Sequence, residues 1–353
     1  MKKEMDTLNP QALDWLLEED PINAPVKFLA LRDLVGRCEG DTELEAARST
    51  MMQTGLIPAI LAEQYQEGYW ENDKNIYGPK YFATIWQVIM LAQVGADASH
   101  PQIHKACEYL LQKAIGNFGG FSILPGQTGA VHCVQGNISA ALLDFGYRDD
   151  ARLLKAMDWM ARSVTGEGFA PVGEKASGDH YIRSGISAPG FPCGANDHQP
   201  CAWGAVKVAM ALSKVPPDKR TPAEKKAVEQ SINFLLSVDP AIADYPHPYA
   251  KAASGSWFKF GFPVFYVTDL LQNLEALVGL GLIGDARLSN AIDFVLQKQD
   301  EKGCWGMEYT YNGKTWVEVE EKGKPSKWVT LRAMRVLKKY FELLFLVMPL
   351  FNK

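Results

Sequence analysis

The sequence predicts an all-helical protein built from repeated helix pairs, and two observations carry that prediction. Gln64-Tyr65-Gln66-Glu67-Gly68-Tyr69-Trp70 follows the apolar stretch 57–63, and Gln299-Asp300-Glu301-Lys302-Gly303-Cys304-Trp305 follows 291–298. Both read Q-x-x-x-G-x-W after a helical run, and such a match at equivalent places marks an internal repeat. The second observation is periodicity. Apolar residues recur at three and four positions through most of the chain, and the period-two alternation of strands is scarce.

In chain order, two N-terminal helical segments, around 12–19 and 26–37, precede the first motif. Degenerate copies of the motif end at Phe121 and Phe169, about fifty residues apart, and the same interval separates Trp257 from Trp305. The interval from Phe169 to Trp257 is nearly double, so a weak repeat or an insertion sits there. Second helices fall between the copies at 81–95, 137–146, 201–215, 268–282 and 327–340. In each motif the Gly takes a backbone conformation that other residues resist, and the aromatic tucks back against the helix just left. The Gln amide satisfies unpaired backbone groups at a helix end. The resulting division is N-terminal helices (1–56), a repeat region (57–340) and an apolar tail (341–353). Five or six such pairs fit the length, stacked as an open solenoid or closed into a barrel.

A chain of 353 residues with 47% hydrophobic and 22% charged residues suits a water-soluble protein with a large interior. The net charge of −5 offers no broad attraction for nucleic acid. The polar start predicts no secretory leader, and no apolar run is long enough to span a bilayer. The segment Phe341 to Phe351 is too short to cross, but it could bury against the body or make a peripheral membrane contact. Six cysteines in this length form no disulfide scaffold, which predicts a cytoplasmic protein.

The paired Q-x-x-x-G-x-W elements resemble the QW repeats of the squalene-hopene cyclase and prenyltransferase superfamily. The stretch 116–126, GNFGGFSILPG, resembles the G-G-F-x-x-x-P-G turns of protein prenyltransferase β subunits. The likeness extends from about residue 57 to 340 and includes small single-domain prenyltransferase/squalene-oxidase repeat proteins. It implies a closed α/α toroid with a central cavity and an isoprenoid or similarly apolar substrate.

The acidic D-x-D-D of proton-initiated cyclases is absent, as is the D-D-x-x-D that holds magnesium-diphosphate. Asp149-Asp150 reads as a helix N-terminus. The strongest chemical signal is Cys193-Gly194-Ala195-Asn196-Asp197-His198-Gln199-Pro200-Cys201 on a Gly/Pro-rich loop entering a helix. Soft and borderline ligands at this spacing suit tetrahedral zinc, with Cys133 as the fourth ligand and His132 its competitor. The prenyltransferases that the chain resembles bind zinc through Asp, Cys and His. Here the place of their Asp-x-Cys is taken by Ala130-Val131-His132-Cys133, so the region matches and the ligand set does not.

If zinc is catalytic, His132 or Asp197 is the candidate acid or base. Asp179-His180 is a weaker pair, and Arg183, Lys207, Lys259 and Arg332 are candidate diphosphate contacts, each more simply read as solvated or capping. Asn137 reads as a helix N-cap. Candidate pocket rings are Trp86, Trp203, Trp257 and Phe258, with Phe262, Tyr266 and Trp328, set against plain core packing. Two functions follow: a zinc-containing enzyme performing prenyl transfer or rearrangement, or a non-catalytic lipid- or partner-binding toroid with structural zinc. A lyase or hydrolase on another substrate fits the same scaffold.

Overall fold

A computed structural model describes residues 9–124, 129–169 and 190–347. The predicted pairs are present as an outer and an inner series of helices. The outer series is α1 (Pro10–Leu17), α3 (Thr42–Gln53) with α4 (Leu56–Ala62), α6 (Pro101–Lys113), α8 (Ala151–Thr165), α10 (Pro222–Leu235) and α12 (Ser289–Gln297). The inner series is α2 (Ala24–Ala30), α5 (Thr84–Gln93), α7 (His132–Asp144), α9 (Ala202–Ser213), α11 (Leu270–Gly279) and α13 (Lys327–Val347). Each inner helix packs on the next from α5 through α13, and α13 packs on α2. The circle closes where Gly95, just past α5, lies against Leu29 of α2: a Cβ there would sit 2.8 Å from Leu29 Cδ2. The fold is a closed α/α toroid, as the resemblance implied and as helix periodicity alone left open, with six pairs among the described residues.

The two full motifs have the same geometry. Trp70 Nε1 donates to Ile60 O at 2.9 Å and Trp305 Nε1 to Val295 O at 2.7 Å, so each indole seals the end of the helix behind it. The Trp backbone amides bond Thr84 Oγ1 and Thr330 Oγ1, in the first turns of the following inner helices. Gln64 and Gln299 each donate to the carbonyl of the motif glycine, at 3.2 and 3.1 Å. Gly68 and Gly303 have φ of 103° and 81°, the left-handed region that the turn requires. Trp305→Phe removes the indole N–H from Val295 O, which then keeps only the amide of Lys298, and leaves part of the indole's buried space unfilled. It is expected to destabilise the protein by about 1–3 kcal/mol, read from urea unfolding midpoints.

Two readings are corrected, both in α7. Helix α7 begins at His132, five residues earlier than the predicted 137–146, so Cys133 lies inside its first turn. Asn137 is therefore no cap; it is interior to α7 and its Nδ2 donates to Phe265 O at 3.2 Å. Helix α13 continues across residue 341 to Val347, into the segment read as a tail. Asp150 does cap α8, accepting from Arg152 N at 2.8 Å. A short antiparallel pair, β1 (Trp305–Gly306) with β2 (Pro325–Ser326), joins the last motif to α13. No described helix is long and apolar enough to cross a membrane.

Candidate functional site

At the end of the toroid where α7 and α9 begin, the loops preceding the inner helices surround a cavity of about 560 Å³. Its wall is mainly aromatic and aliphatic, with Tyr77, Tyr81, Trp203, Tyr245, Trp257 and Tyr266 among the lining residues. Among the described residues, no carboxylate lines it. Lys80 lies at its edge, with Nζ 4.7 Å from the centre of the Tyr266 ring and 5.3 Å from that of Tyr81.

One wall carries three thiols. Cys133 comes from the first turn of α7, Cys201 from the N-cap of α9, and Cys193 from the loop before it. That loop is a tight reversal: Pro192 and Pro200 form an antiparallel bridge, Cys193 N donates to Gln199 O, and Cys201 N donates to Phe191 O at 2.8 Å. Asn196 Nδ2 ties it across to Pro246 O at 3.0 Å. The Cys201 thiol donates to the Cys193 sulfur, and the amides of Ala195 and Asn196 help hold Cys193 down at about 6. The same contact, with burial, raises Cys201. Burial pushes Cys133 up to about 12, opposed in part by the hydroxyl of Tyr266. Both α7 and α9 start without a side-chain cap, so positive helix ends lie beside these sulfurs.

The zinc reading is met only in part by this arrangement. Cys133, Cys193 and Cys201 share one wall, which suits a soft ion chemically. His198 does not join them. With Asp197 it occupies the exposed tip of the reversal, at φ of 58° and 52°, because the chain must turn there to pair 192 with 200. Among the described residues, no three His, Cys, Asp or Glu side chains stand in a ready-made ligand set.

His132 lies behind this wall, lining a small pocket of about 20 Å³ together with Cys133, Cys193 and Cys201. Its Nε2 lies 3.2 Å from Ser163 Oγ on the outer helix α8, and burial pulls it down to about 4, so it is neutral near pH 7. Neither His132 nor Asp197 lines the cavity.

Of the predicted rings, Trp203, Trp257 and Tyr266 line the cavity. Trp86 is buried behind it, its ring about 5.2 Å from those of Tyr77 and Tyr266. Phe262 and Trp328 instead stack on each other at 4.1 Å in the core, and Phe258 packs on Phe294 of α12. The candidate phosphate contacts do not reach the cavity either. Arg332 and Lys207 are buried and Lys259 is exposed outside it, while Arg183 and Asp179-His180 lie outside the described residues. Tyr77, Lys80, Tyr81, Tyr245 and His247 line the cavity without having been predicted. The available signal was position: Tyr77 to Tyr81 immediately precede inner helix α5, as the Cys193–Cys201 loop precedes α9.

No family model and no curated protein matches the sequence. Among solved structures, the chain is similar to the type II terpene cyclase MstE from Scytonema, at 15% identity and a TM-score of 0.48, covering 97% of this chain and 100% of that one. It is also similar to a protein from Actinoplanes, at 14% identity and a TM-score of 0.46, covering 96% and 99%. Likeness at this level bears on neither substrate nor chemistry.

Proposed function

We propose that this protein is an enzyme acting on an isoprenoid or comparably apolar substrate, by transfer or rearrangement rather than carboxylate-initiated cyclisation. The observation that carries the reading is the aromatic-walled cavity of about 560 Å³ with three thiols on one side. Its size fits a small apolar molecule, and its rings present π faces that attract positive charge as it develops. The sequence carries no D-x-D-D, which supports the negative part of the reading.

Zinc is the cofactor proposed for Cys133, Cys193 and Cys201, and His198, exposed at the tip of the loop that carries Cys193, would have to turn inward to join them. Bound there, zinc would supply Lewis acidity or a metal-bound thiolate. The chain's own residues do the rest. Trp203, Trp257 and Tyr81 hold the apolar body and exclude water, and burial raises Tyr266 so that its hydroxyl stays protonated and donates toward Cys133.

Two measurements test the reading. Purified protein is expected to contain zinc, and Cys193→Ser and Cys201→Ser are expected to lose most of it; full zinc in both variants would remove the metal from the proposal. Extraction and mass spectrometry should recover a prenyl or similar apolar ligand, which the cavity-filling variant Ala253→Trp should exclude. A carrier reading shares the cavity, and the lack of a lining carboxylate acid or base favours it to that extent. It predicts that such a ligand is returned unchanged after prolonged incubation.

A further inference from the structure

The segment 261–266 runs across the inside of the toroid, pinned to three inner helices. Val264 N donates to Gln93 Oε1 of α5 at 2.8 Å, and Gln93 Nε2 returns to Val264 O at 2.7 Å. Asn137 of α7 holds Phe265 O, and Arg332 of α13 holds Gly261 O. Tyr266, at one end of this crossing, lines the aromatic cavity, whereas Phe262 and Val264 line a second chamber of about 230 Å³.

The two chambers differ in chemistry. The second lies toward the C-terminal ends of the inner helices, and four cations line it, Arg32, Lys214, Arg332 and Arg335, with two carboxylates, Asp144 and Glu275. Glu275 and Asp269 together neutralise Arg332, and Asp144 pairs with Lys214 at 2.6 Å. Arg32 and Arg335 are left with one carboxylate between them, Asp33, which accepts from both. Lys338 adds a third cation there, its Nζ donating to Asp33 O at 2.8 Å and to Leu34 O at 3.1 Å. Burial, with Arg32 alongside, holds Arg335 below the usual guanidinium value.

The helix ends do not supply the missing negative charge. The last-turn carbonyls of Ala92, Leu143 and Leu212 already accept the amides of Gly95, Gly146 and Val215. Positive charge therefore exceeds negative charge on this wall, among the described residues. Arg32 and the Lys214–Asp144 pair are part exposed, so the wall is within reach of solvent. Guanidinium groups that share one carboxylate keep N–H donors for a further oxyanion, and their fork suits carboxylate and phosphate alike.

We propose that this second chamber is a ligand site for a small molecule bearing a carboxylate or phosphate group, held among Arg32, Lys214 and Arg335. Its volume is less than half that of the aromatic cavity, so the occupant is compact. The site lies apart from the thiol wall and needs neither zinc nor an apolar ligand.

The test is calorimetric titration of the full chain with inorganic phosphate and with succinate at fixed ionic strength. At least one should bind saturably, and the tighter of the two identifies the group. Arg335→Gln and Arg32→Gln should each weaken that probe roughly 10–100-fold, the range for a hydrogen bond to a charged group. Asp144→Asn takes a carboxylate off the wall and should tighten binding about 2–5-fold, an effect that a merely structural ion pair would not give. Lys214→Gln, part exposed at the C-cap of α9, reads the same loss if Arg335→Gln does not fold. Lys259→Gln, outside the chamber, should bind as wild type does. No saturable binding of either probe would overturn the inference. So would wild-type affinity in the Arg32, Lys214 and Arg335 variants, or an equal loss of affinity in Lys259→Gln.

Discussion

Replacing Arg332 with methionine is expected to lower the unfolding free energy by about 3–5 kcal/mol, the cost of stranding a buried charge by removing its partner. Arg332 lies on α13, with its side chain 5% exposed, and grips three parts of the structure. Nη1 and Nη2 meet the two oxygens of Asp269 at 2.9 and 3.0 Å, and Nε and Nη2 meet those of Glu275 at 2.9 and 3.0 Å. Nη1 also donates to Gly261 O at 2.7 Å. Asp269 is at the same time the N-cap of α11, accepting from Gln272 N at 2.7 Å. Loss of the guanidinium therefore leaves two carboxylates without their cation and unfastens the 257–266 segment that supplies Trp257 and Tyr266 to the cavity. Adding Asp269→Asn and Glu275→Gln should recover part of the loss, because both stranded charges are then removed. Urea unfolding of the single and triple variants measures this; equal stability of the two would mean that the charges are not what the arginine supports.

Gly136→Val is expected to be comparably severe, at about 3 kcal/mol or more, the upper end of overpacking costs. The contact is between backbones. An added Cβ would lie 2.3 Å from the Lys207 carbonyl carbon, 2.4 Å from its oxygen and 2.6 Å from Val208 N, and no rotamer change relieves that. Helices α7 and α9 would have to separate, moving Cys133 away from Cys201. Gly136→Ala should show the same effect at reduced size, and a loss of metal as well if the proposed zinc is bound. Thermal melts with metal analysis separate the two quantities. Wild-type stability in the alanine variant would show that the helices are not held at this distance.

The helix pairs were legible because each carries its own evidence: apolar residues every three or four positions, and a Gln, Gly and Trp whose partners lie within about ten residues. Trp70 reaches Ile60, Trp305 reaches Val295, and Gln64 reaches Gly68, all local contacts that leave a local pattern. The thiol wall was legible to the same extent. Cys193 and Cys201 share one short loop, and Cys133 opens the equivalent inner helix one repeat earlier. His132 and Cys133, adjacent on a helix, point about 100° apart. Cys133 meets the cavity, while His132 turns to Ser163.

What the sequence alone determined is an all-helical chain of repeated pairs, with a cluster of thiols at the head of two inner helices. Ring closure, the membership of the cavity wall and the outward turn of His198 were decided only by the tertiary structure. Closure depends on Leu29 meeting Gly95 and on α13 reaching α2 from the far end of the chain. The aromatic residues were separated by the same long-range packing: Trp203 and Tyr266 line a space, whereas Phe262 and Trp328 fill one. Each ring has the same apolar character, so composition and period cannot tell a cavity wall from a core. That difference lies in what stands opposite the ring, and here the opposing residues are often more than fifty positions away.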